Sequence, residues 1–174
     1  MRLYGLELVP YKSPSLDDWR DSTKGITSVH QDTNLELYGA IDDLWVDPAG
    51  ELSVVDYKAT STAAEISLRD AKFDRYKRQL EMYQWLLKRN DLRLSQTAYL
   101  LFANADRSRE SFDRKLDFAY TLLPYMGDDH WVEPALIDAK AALDADMLPP
   151  STEGCVWCGY RKAVVHAESG ANVG

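Results

Sequence analysis

The sequence predicts an α/β fold in which a mixed β-sheet is flanked by α-helices. Three observations carry this prediction: a hairpin pattern over residues 37–59, a long helical pattern over residues 68–90, and further strand patterns after residue 96. Helices that alternate with strands in this way bury one face against the sheet. We therefore expect one layered domain.

The hairpin joins two predicted strands, residues 37–45 and 52–59. The Asp-Pro-Ala-Gly sequence at 47–50 is typical of a turn, which makes the strands antiparallel neighbours. Asp42 of the first strand and Asp56 of the second can then face one another.

Alternation along the second strand decides which side chains lie together. Asp56 and Lys58 project from one face and Tyr57 from the other. Asp43 points away from its neighbour Asp42, and we expect it in solvent. Charged groups rarely lie in apolar strands without a partner. The Asp-x-Lys triplet at residues 56–58 is therefore either a metal site or an ion pair at a strand edge. The triplet occurs three more times without an acidic partner strand, at Asp70/Lys72, Asp113/Lys115 and Asp138/Lys140.

The main helix is predicted over residues 68–90, which contain no Gly or Pro and few β-branched residues. A polar and aromatic face recurs at helical spacing: Lys72, Tyr76, Gln79 and Tyr83. A second, apolar stripe is typical of core: Phe73, Leu80 and Leu87. Gln79 is accordingly either a site residue or a hydrogen-bonded residue at the core boundary.

The remaining predicted elements follow in chain order. They are strands at 96–103 and 111–123 with a polar turn at 104–109 between them, then helices at 131–147 and 155–166. Pro149 and Pro150 stop the first of these helices. We expect a single domain over residues 1–166 and a flexible tail over residues 167–174.

Composition bounds the class of protein. With 174 residues, 45% of them hydrophobic, the chain can bury one core. No apolar run approaches the ~20 residues of a membrane span, and the first residues lack a secretory signal, so we expect a cytoplasmic protein with no membrane partner. The two cysteines, Cys155 and Cys158, exclude a disulfide framework, whereas their spacing suits a pair of metal ligands.

The distribution of charge is uneven. A net charge of −8 argues against broad attraction to nucleic acid, which Lys and Arg drive by releasing counterions. Residues 69–78, however, hold five basic side chains against two acidic ones. This strip is either a solvated helix face or a contact with nucleic acid. The candidates for that contact are Lys72, Arg75, Tyr76 and Arg78.

Three short motifs occur in a fixed order: Gly-x-x-Asp at 39–42, Asp-x-Lys at 56–58 and Gln-x-x-x-Tyr at 79–83. Together they resemble the PD-(D/E)XK nuclease superfamily, and specifically its RecB-like branch, which includes the CRISPR-associated RecB-like exonucleases. The resemblance covers about residues 35–84, with a fainter echo at 155–161. It implies a restriction-endonuclease-like mixed β-sheet flanked by α-helices.

The resemblance also implies a metal site. Asp42 and Asp56 would bind Mg²⁺ or Mn²⁺, for which hard oxygen ligands are suited, and the peptide carbonyl of Tyr57 would be a further ligand. Many relatives add an upstream histidine, and His30 is the candidate here.

Catalytic roles are implied for three more residues. Lys58 would orient or deprotonate the attacking water and offset charge in the transition state, while the metal polarises the phosphoryl oxygen. Gln79 and Tyr83 would steady the site and the DNA strand.

Several RecB-like proteins hold an iron–sulfur cluster on four cysteines. This chain has two, so a complete four-cysteine cluster cannot form within it. Cys155 and Cys158 are a remnant, a part of a fuller site in a longer protein, a half-site completed by a ligand such as His166, or an inert pair.

The leading hypothesis is a metal-dependent DNA nuclease, an exonuclease or DNA end-processing enzyme acting on single strands or free ends. The alternative is a catalytically silent nucleic-acid-binding or scaffolding domain with protein partners in a repair or CRISPR-adaptation assembly. A third hypothesis is a metal-dependent hydrolase of another phosphate ester.

Overall fold

The computed structural model describes residues 4–108 and 114–170 of the chain. In these ranges it contains seven strands and four α-helices. The strands are β1 (Val9–Pro10), β2 (Ile26–His30), β3 (Leu35–Gly39), β4 (Asp43–Val46), β5 (Leu52–Thr60), β6 (Thr97–Ala105) and β7 (Phe118–Met126). The helices are α1 (Leu16–Arg20), α2 (Asp74–Arg89), α3 (Val132–Asp144) and α4 (Val156–Gly170).

Five strands form one mixed sheet in the order β1-β4-β5-β6-β7. β5 and β6 run parallel because the chain crosses between them through α2, whereas the other neighbours are antiparallel. β2 and β3 form a separate antiparallel pair. The predicted mixed α/β fold, with helices flanking a mixed sheet, is confirmed.

The predicted strand over residues 37–45 is wrong as a continuous element. β3 ends at Gly39 and β4 begins at Asp43, so the chain passes from the small sheet to the large one between them. In this crossing the Ile41 amide donates to the Trp19 carbonyl oxygen at 3.0 Å rather than to a neighbouring strand. Asp42 therefore lies just before β4 rather than within a strand.

The predicted hairpin between β4 and β5 is confirmed. Asp47 closes its turn by accepting the Gly50 amide at 3.1 Å on its carbonyl and the Glu51 amide at 2.8 Å on its side chain. Gly50 has a φ of 82°, a conformation that glycine adopts at little cost. The strand register then sets Asp43 opposite Val55.

The two faces of the large sheet bury different clusters. Val54 and Leu100 pack with Leu80 of α2 on one face, which we call the α2 face. Trp45 and Val55 belong to the cluster on the opposite face. The predicted alternation along β5 is thereby confirmed.

Later elements differ from their predicted bounds. α2 begins at Asp74 rather than residue 68, after a 3₁₀ turn at Ala71–Phe73 that the Asp70 carboxylate caps by accepting the Lys72 amide at 3.0 Å. β7 begins at Phe118, later than the predicted start at 111, and residues 111–113 lie outside the described residues. The strand at β6 and the helices at α3 and α4 are confirmed, with shifted ends.

The chain divides into two compact units, Met1–Ile137 and Asp138–Gly174. The predicted single domain over residues 1–166 stays a prediction. Residues 167–170 of the predicted tail continue α4, and residues 171–174 lie outside the described part of the chain. Among the helices of the described residues, none is long and apolar enough to cross a membrane.

Candidate active site

The structure brings Asp42 and Asp56 together at the junction of β4 and β5. Asp56 lies on the α2 face of β5 and is 1% exposed. Asp42 reaches the same strand, where its Oδ2 accepts the Tyr57 amide at 2.7 Å. Burial raises the pKa of Asp56, the Lys58 ammonium lowers it, and the neighbouring Asp42 carboxylate raises it. The two acids therefore share one electrostatic environment.

Lys58 connects this acidic pair to α2. Its ammonium forms an ion pair with Asp56 and donates to Gln79 Oε1 at 3.1 Å. Gln79 in turn donates through Nε2 to the Tyr83 hydroxyl at 2.8 Å, one helical turn further on. The ammonium also lies 4.8 Å from the centre of the Tyr76 ring. These contacts fix the Lys58 side chain beside Asp56.

The donor set at this junction fits a divalent cation. Asp56 Oδ2 is buried and, among the described residues, has the Lys58 ion pair but no hydrogen bond of normal geometry. Two carboxylates facing one ammonium leave a net negative charge in a buried setting, which a cation would neutralise. Carboxylate oxygens are the ligands that Mg²⁺ and Mn²⁺ prefer.

Next to the acidic pair lies a partly buried contact that the sequence did not indicate. Asp43 is 7% exposed and accepts Arg20 Nη2 at 2.5 Å and the Tyr57 hydroxyl at 2.6 Å, so the expectation of a solvated Asp43 is wrong. Arg20 Nε also donates to the Asp42 carbonyl oxygen at 2.9 Å. Arg20 thus holds the backbone from which the Asp42 side chain projects.

The same contact perturbs Tyr57. Burial and the Asp43 carboxylate raise the pKa of the Tyr57 hydroxyl to about 12. The hydroxyl consequently stays protonated at neutral pH and donates to Asp43, while the backbone amide of the same residue donates to Asp42. The proposed role of the Tyr57 carbonyl as a metal ligand stays a prediction.

His30 does not join the acidic pair. His30 lies in β2, four residues after Ile26. Ile26 pairs with Gly39, three residues before Asp42, so His30 is about 13 Å along the strand from the Gly39 end. Its Nδ1 lies 2.8 Å from Thr33 Oγ1 and its Nε2 lies 2.6 Å from Glu133 Oε2. Both ring nitrogens are engaged with these partners rather than with Asp42 or Asp56, and the role of His30 as a metal ligand stays a prediction.

The basic strip divides into two places. Lys72 and Arg75 flank an aromatic group beside Lys58, with the Arg75 guanidinium 4.7 Å from the centre of the Tyr76 ring. Arg78 lies instead over the Trp131 ring, at 5.5 Å, on the side of α2 away from Tyr76. The structure therefore groups three of the four candidates for nucleic-acid binding and separates Arg78 from them.

Two other groups of metal-ligating side chains occur among the described residues. The ligand atoms of Asp128, Asp129 and His130 lie within 4.8 Å of one another, but Asp128 pairs with His130 at 2.5 Å and Asp129 with Lys88 at 2.8 Å. Cys155 and Cys158 are free thiols. Asp128 and His130 are exposed, whereas Asp56 is 1% exposed, so the Asp42–Asp56 junction is the better candidate.

Gly39 sets how closely the small sheet approaches α2. A Cβ atom there would lie 2.9 Å from Leu86 Cδ1 and 3.0 Å from the Tyr83 ring.

We expect Gly39→Ala to lower the free energy of unfolding by about 1–3 kcal/mol through overpacking, measured by urea denaturation. Gly159→Ala on α4, where a Cβ meets open space, should not lower it and should raise it by up to about 1 kcal/mol. Equal stabilities of the two variants would show that the Gly39 contact is not tight.

Comparison with known proteins adds one finding. A family model of the PD-(D/E)XK nuclease superfamily matches residues 2–163. This range includes the acidic junction on β4 and β5 and the side chains of α2 that meet it. In comparisons with curated proteins and with solved structures, nothing matched the chain.

Proposed function

The chain belongs to the PD-(D/E)XK nuclease superfamily, whose members cut nucleic acid with divalent metals, and we propose that it is a DNA nuclease of RecB-like type. In this proposal it acts as an exonuclease or processes DNA ends. One observation carries the proposal: Asp42, Asp56 and Lys58 meet in a buried junction whose net charge is negative. The alternative, an ion pair at a strand edge, would need only Asp56 and Lys58. It would not explain why the Asp42 carboxylate lies beside them.

Asp42 and Asp56 would hold the metal, with the Tyr57 carbonyl as a further ligand. A bound Mg²⁺ or Mn²⁺ supplies Lewis-acid polarisation of the phosphoryl oxygen and a lower pKa for water. The carboxylates must be ionised to bind it, and burial raises the pKa of Asp56. As the pH is lowered, activity should therefore begin to fall at a higher pH than it would if Asp56 had the pKa of an exposed aspartate.

Lys58 would act on the nucleophile. Its ammonium can donate a hydrogen bond that orients water and can offset negative charge as it develops on the phosphate. Gln79 Oε1 accepts from this ammonium, and Tyr83 holds Gln79, so α2 restricts the rotamer of Lys58. Gln79 and Tyr83 are in this sense positioning residues.

The proposal is tested by digesting end-labelled DNA and RNA, single-stranded and duplex, with Mg²⁺, Mn²⁺ or EDTA. We expect DNA cleavage with either metal, none with EDTA, and none by Asp42→Asn. Product ladders distinguish stepwise removal of end nucleotides from internal cuts. A folded protein that binds DNA but cuts no substrate under any condition would instead be a silent binding domain, and cleavage of small phosphate esters alone would indicate a different hydrolase.

Arg20 should support metal binding without touching the metal. Because it holds the Asp42 carbonyl and the Asp43 carboxylate, we expect Arg20→Ala to weaken Mn²⁺ binding about 10- to 100-fold in calorimetric titrations. Arg93→Ala, which removes a comparable ion pair with Glu51 at 3.0 Å on the far side of the hairpin, is the matched control. Equal affinities for Arg20→Ala and the parent protein would contradict this positioning role.

A further inference from the structure

A cavity of about 510 Å³ lies beyond Lys58, at the end of β5. Its size falls within the ~300–1,000 Å³ range of small-molecule sites. Thr60 of β5 lines it together with the connection to α2. Because Thr60 is two residues from Lys58, the two side chains share a face and are about 7 Å apart along the strand. A single nucleotide can span that separation.

Aromatic rings form one wall of this cavity. Phe73 and Phe102 meet edge to face at 5.5 Å, and the Tyr76 ring lies 6.0 Å from Phe73 and 6.3 Å from Phe102. Tyr76 also contacts the Lys58 ammonium, so the aromatic wall continues into the acidic junction. Phe73 and Phe102 are 8% and 2% exposed, so a flat ring entering the cavity would meet mainly the Tyr76 ring, which these two side chains support.

The charges around the cavity favour a base inside and phosphate at the mouth. Lys72 and Arg75 line it, with the Arg75 guanidinium donating to the Tyr76 hydroxyl at 2.8 Å. Glu65 also lines it and would repel a phosphate while accepting hydrogen bonds from an amino group of a base. Basic groups beside aromatic faces are the combination by which proteins bind single-stranded nucleic acid.

The wall formed by the connection after β5 is held in place. The Thr62 amide donates to Asn104 Oδ1 at 2.9 Å, and Asn104 Nδ2 donates back to the Thr62 carbonyl at 2.9 Å. Thr60 pairs with the same Asn104 in the parallel register of β5 and β6. The cavity is thus fixed to the strand that carries Asp56 and Lys58.

We propose that this cavity is a subsite for one unpaired base of the strand whose phosphodiester lies at the Asp42–Asp56 junction. The inference rests on the proposed nuclease function and specifies its substrate as DNA with a single-stranded segment. A base in a Watson–Crick pair cannot enter a cavity of this kind without leaving its stack. Blunt duplex is therefore a poor ligand.

The test measures binding of labelled oligonucleotides in EDTA, where no cleavage occurs. The parent protein should bind a short single strand at least tenfold more tightly than a blunt duplex of equal length. Thr60→Trp, which places a bulky side chain in the cavity, should weaken single-strand binding by about five- to 100-fold, and Arg75→Ala, at an exposed position, should also weaken it. Arg89→Ala is the matched control, because this arginine of α2 stacks on Trp85 away from the cavity.

Single strands containing abasic sites separate base contacts from phosphate contacts. Thr60→Trp should bind an abasic strand as the parent does, since no base remains to be excluded. Tight binding of blunt duplex, or an equal loss for intact and abasic strands, would overturn the subsite. A parent protein that cuts DNA without strand preference would retain the nuclease function and lose the subsite. A parent protein that prefers single strands but cuts no DNA would retain the subsite and lose the nuclease function.

Discussion

Asp56→Asn should abolish cleavage while leaving the protein at least as stable as the parent at pH 7. In the proposed mechanism Asp56 binds the metal, and losing such a ligand would cost several kcal/mol of transition-state stabilisation, or at least about a 1,000-fold loss of rate. Burial raises the pKa of Asp56, so folding favours its protonated form. The stabilisation from protonated Asp56 is fully present below the pKa that this residue has in the unfolded chain. It is lost as the pH rises through the higher pKa that Asp56 has in the folded protein. The uncharged amide avoids this loss at neutral pH.

Two measurements check this expectation. Cleavage rates with Mn²⁺ give the catalytic loss, and thermal unfolding with and without Mn²⁺ gives stability and metal binding. The parent should unfold at a higher temperature with Mn²⁺ because the ion binds only the folded state, whereas Asp56→Asn should not respond. Asp70→Asn, which changes an exposed acid before α2, serves as the control and should keep both activity and the Mn²⁺ response. A lower unfolding temperature for Asp56→Asn without metal would contradict the argument from burial.

Lys58→Ala should reduce the cleavage rate by about 10²- to 10⁴-fold and should move the pH profile. In the proposed mechanism Lys58 orients water and offsets charge on the phosphate, and its removal would cause the loss of rate. The Lys58 ammonium also lowers the pKa of Asp56. Without it that pKa rises further, and the acidic limb of the rate profile should shift to higher pH.

The shift in pH separates this role from a general loss of structure. Lys88→Ala is the matched control, since Lys88 also lies on an ordered element and pairs with Asp129 at 2.8 Å. It should leave both rate and profile unchanged. A Lys58→Ala enzyme with reduced rate but an unshifted acidic limb would show that Lys58 does not tune the carboxylate.

Local sequence signals predicted the hairpin and the faces of β5. The turn at 47–50 and the period-two alternation are short-range features, and the structure confirms both. The same alternation indicated that Asp56 and Lys58 would project together, as they do. Helical spacing likewise placed Gln79 and Tyr83 in contact.

The interruption between β3 and β4 had no such signal. Residues 37–41 are mainly apolar and, together with residues 42–45, have the pattern of one strand. Contacts distant in sequence break the strand: Gly39 packs on α2, and Ile41 bonds to the Trp19 backbone. The Arg20–Asp43 pair joins residues 23 apart, so no local pattern could indicate that Asp43 is buried. His30 similarly bonds to Glu133, far along the chain.

The arrangement of the junction along the chain has an evolutionary consequence. The crossing after Gly39, the strand with Asp56 and Lys58, and the helix with Gln79 and Tyr83 occupy one uninterrupted stretch, residues 39–83. Recombination that exchanged the segments after β6 would transmit this stretch intact. Arg20, which holds Asp43, precedes this stretch and would be transmitted with it. Proteins that share residues 39–83 but differ after β6 would keep the same arrangement of these side chains.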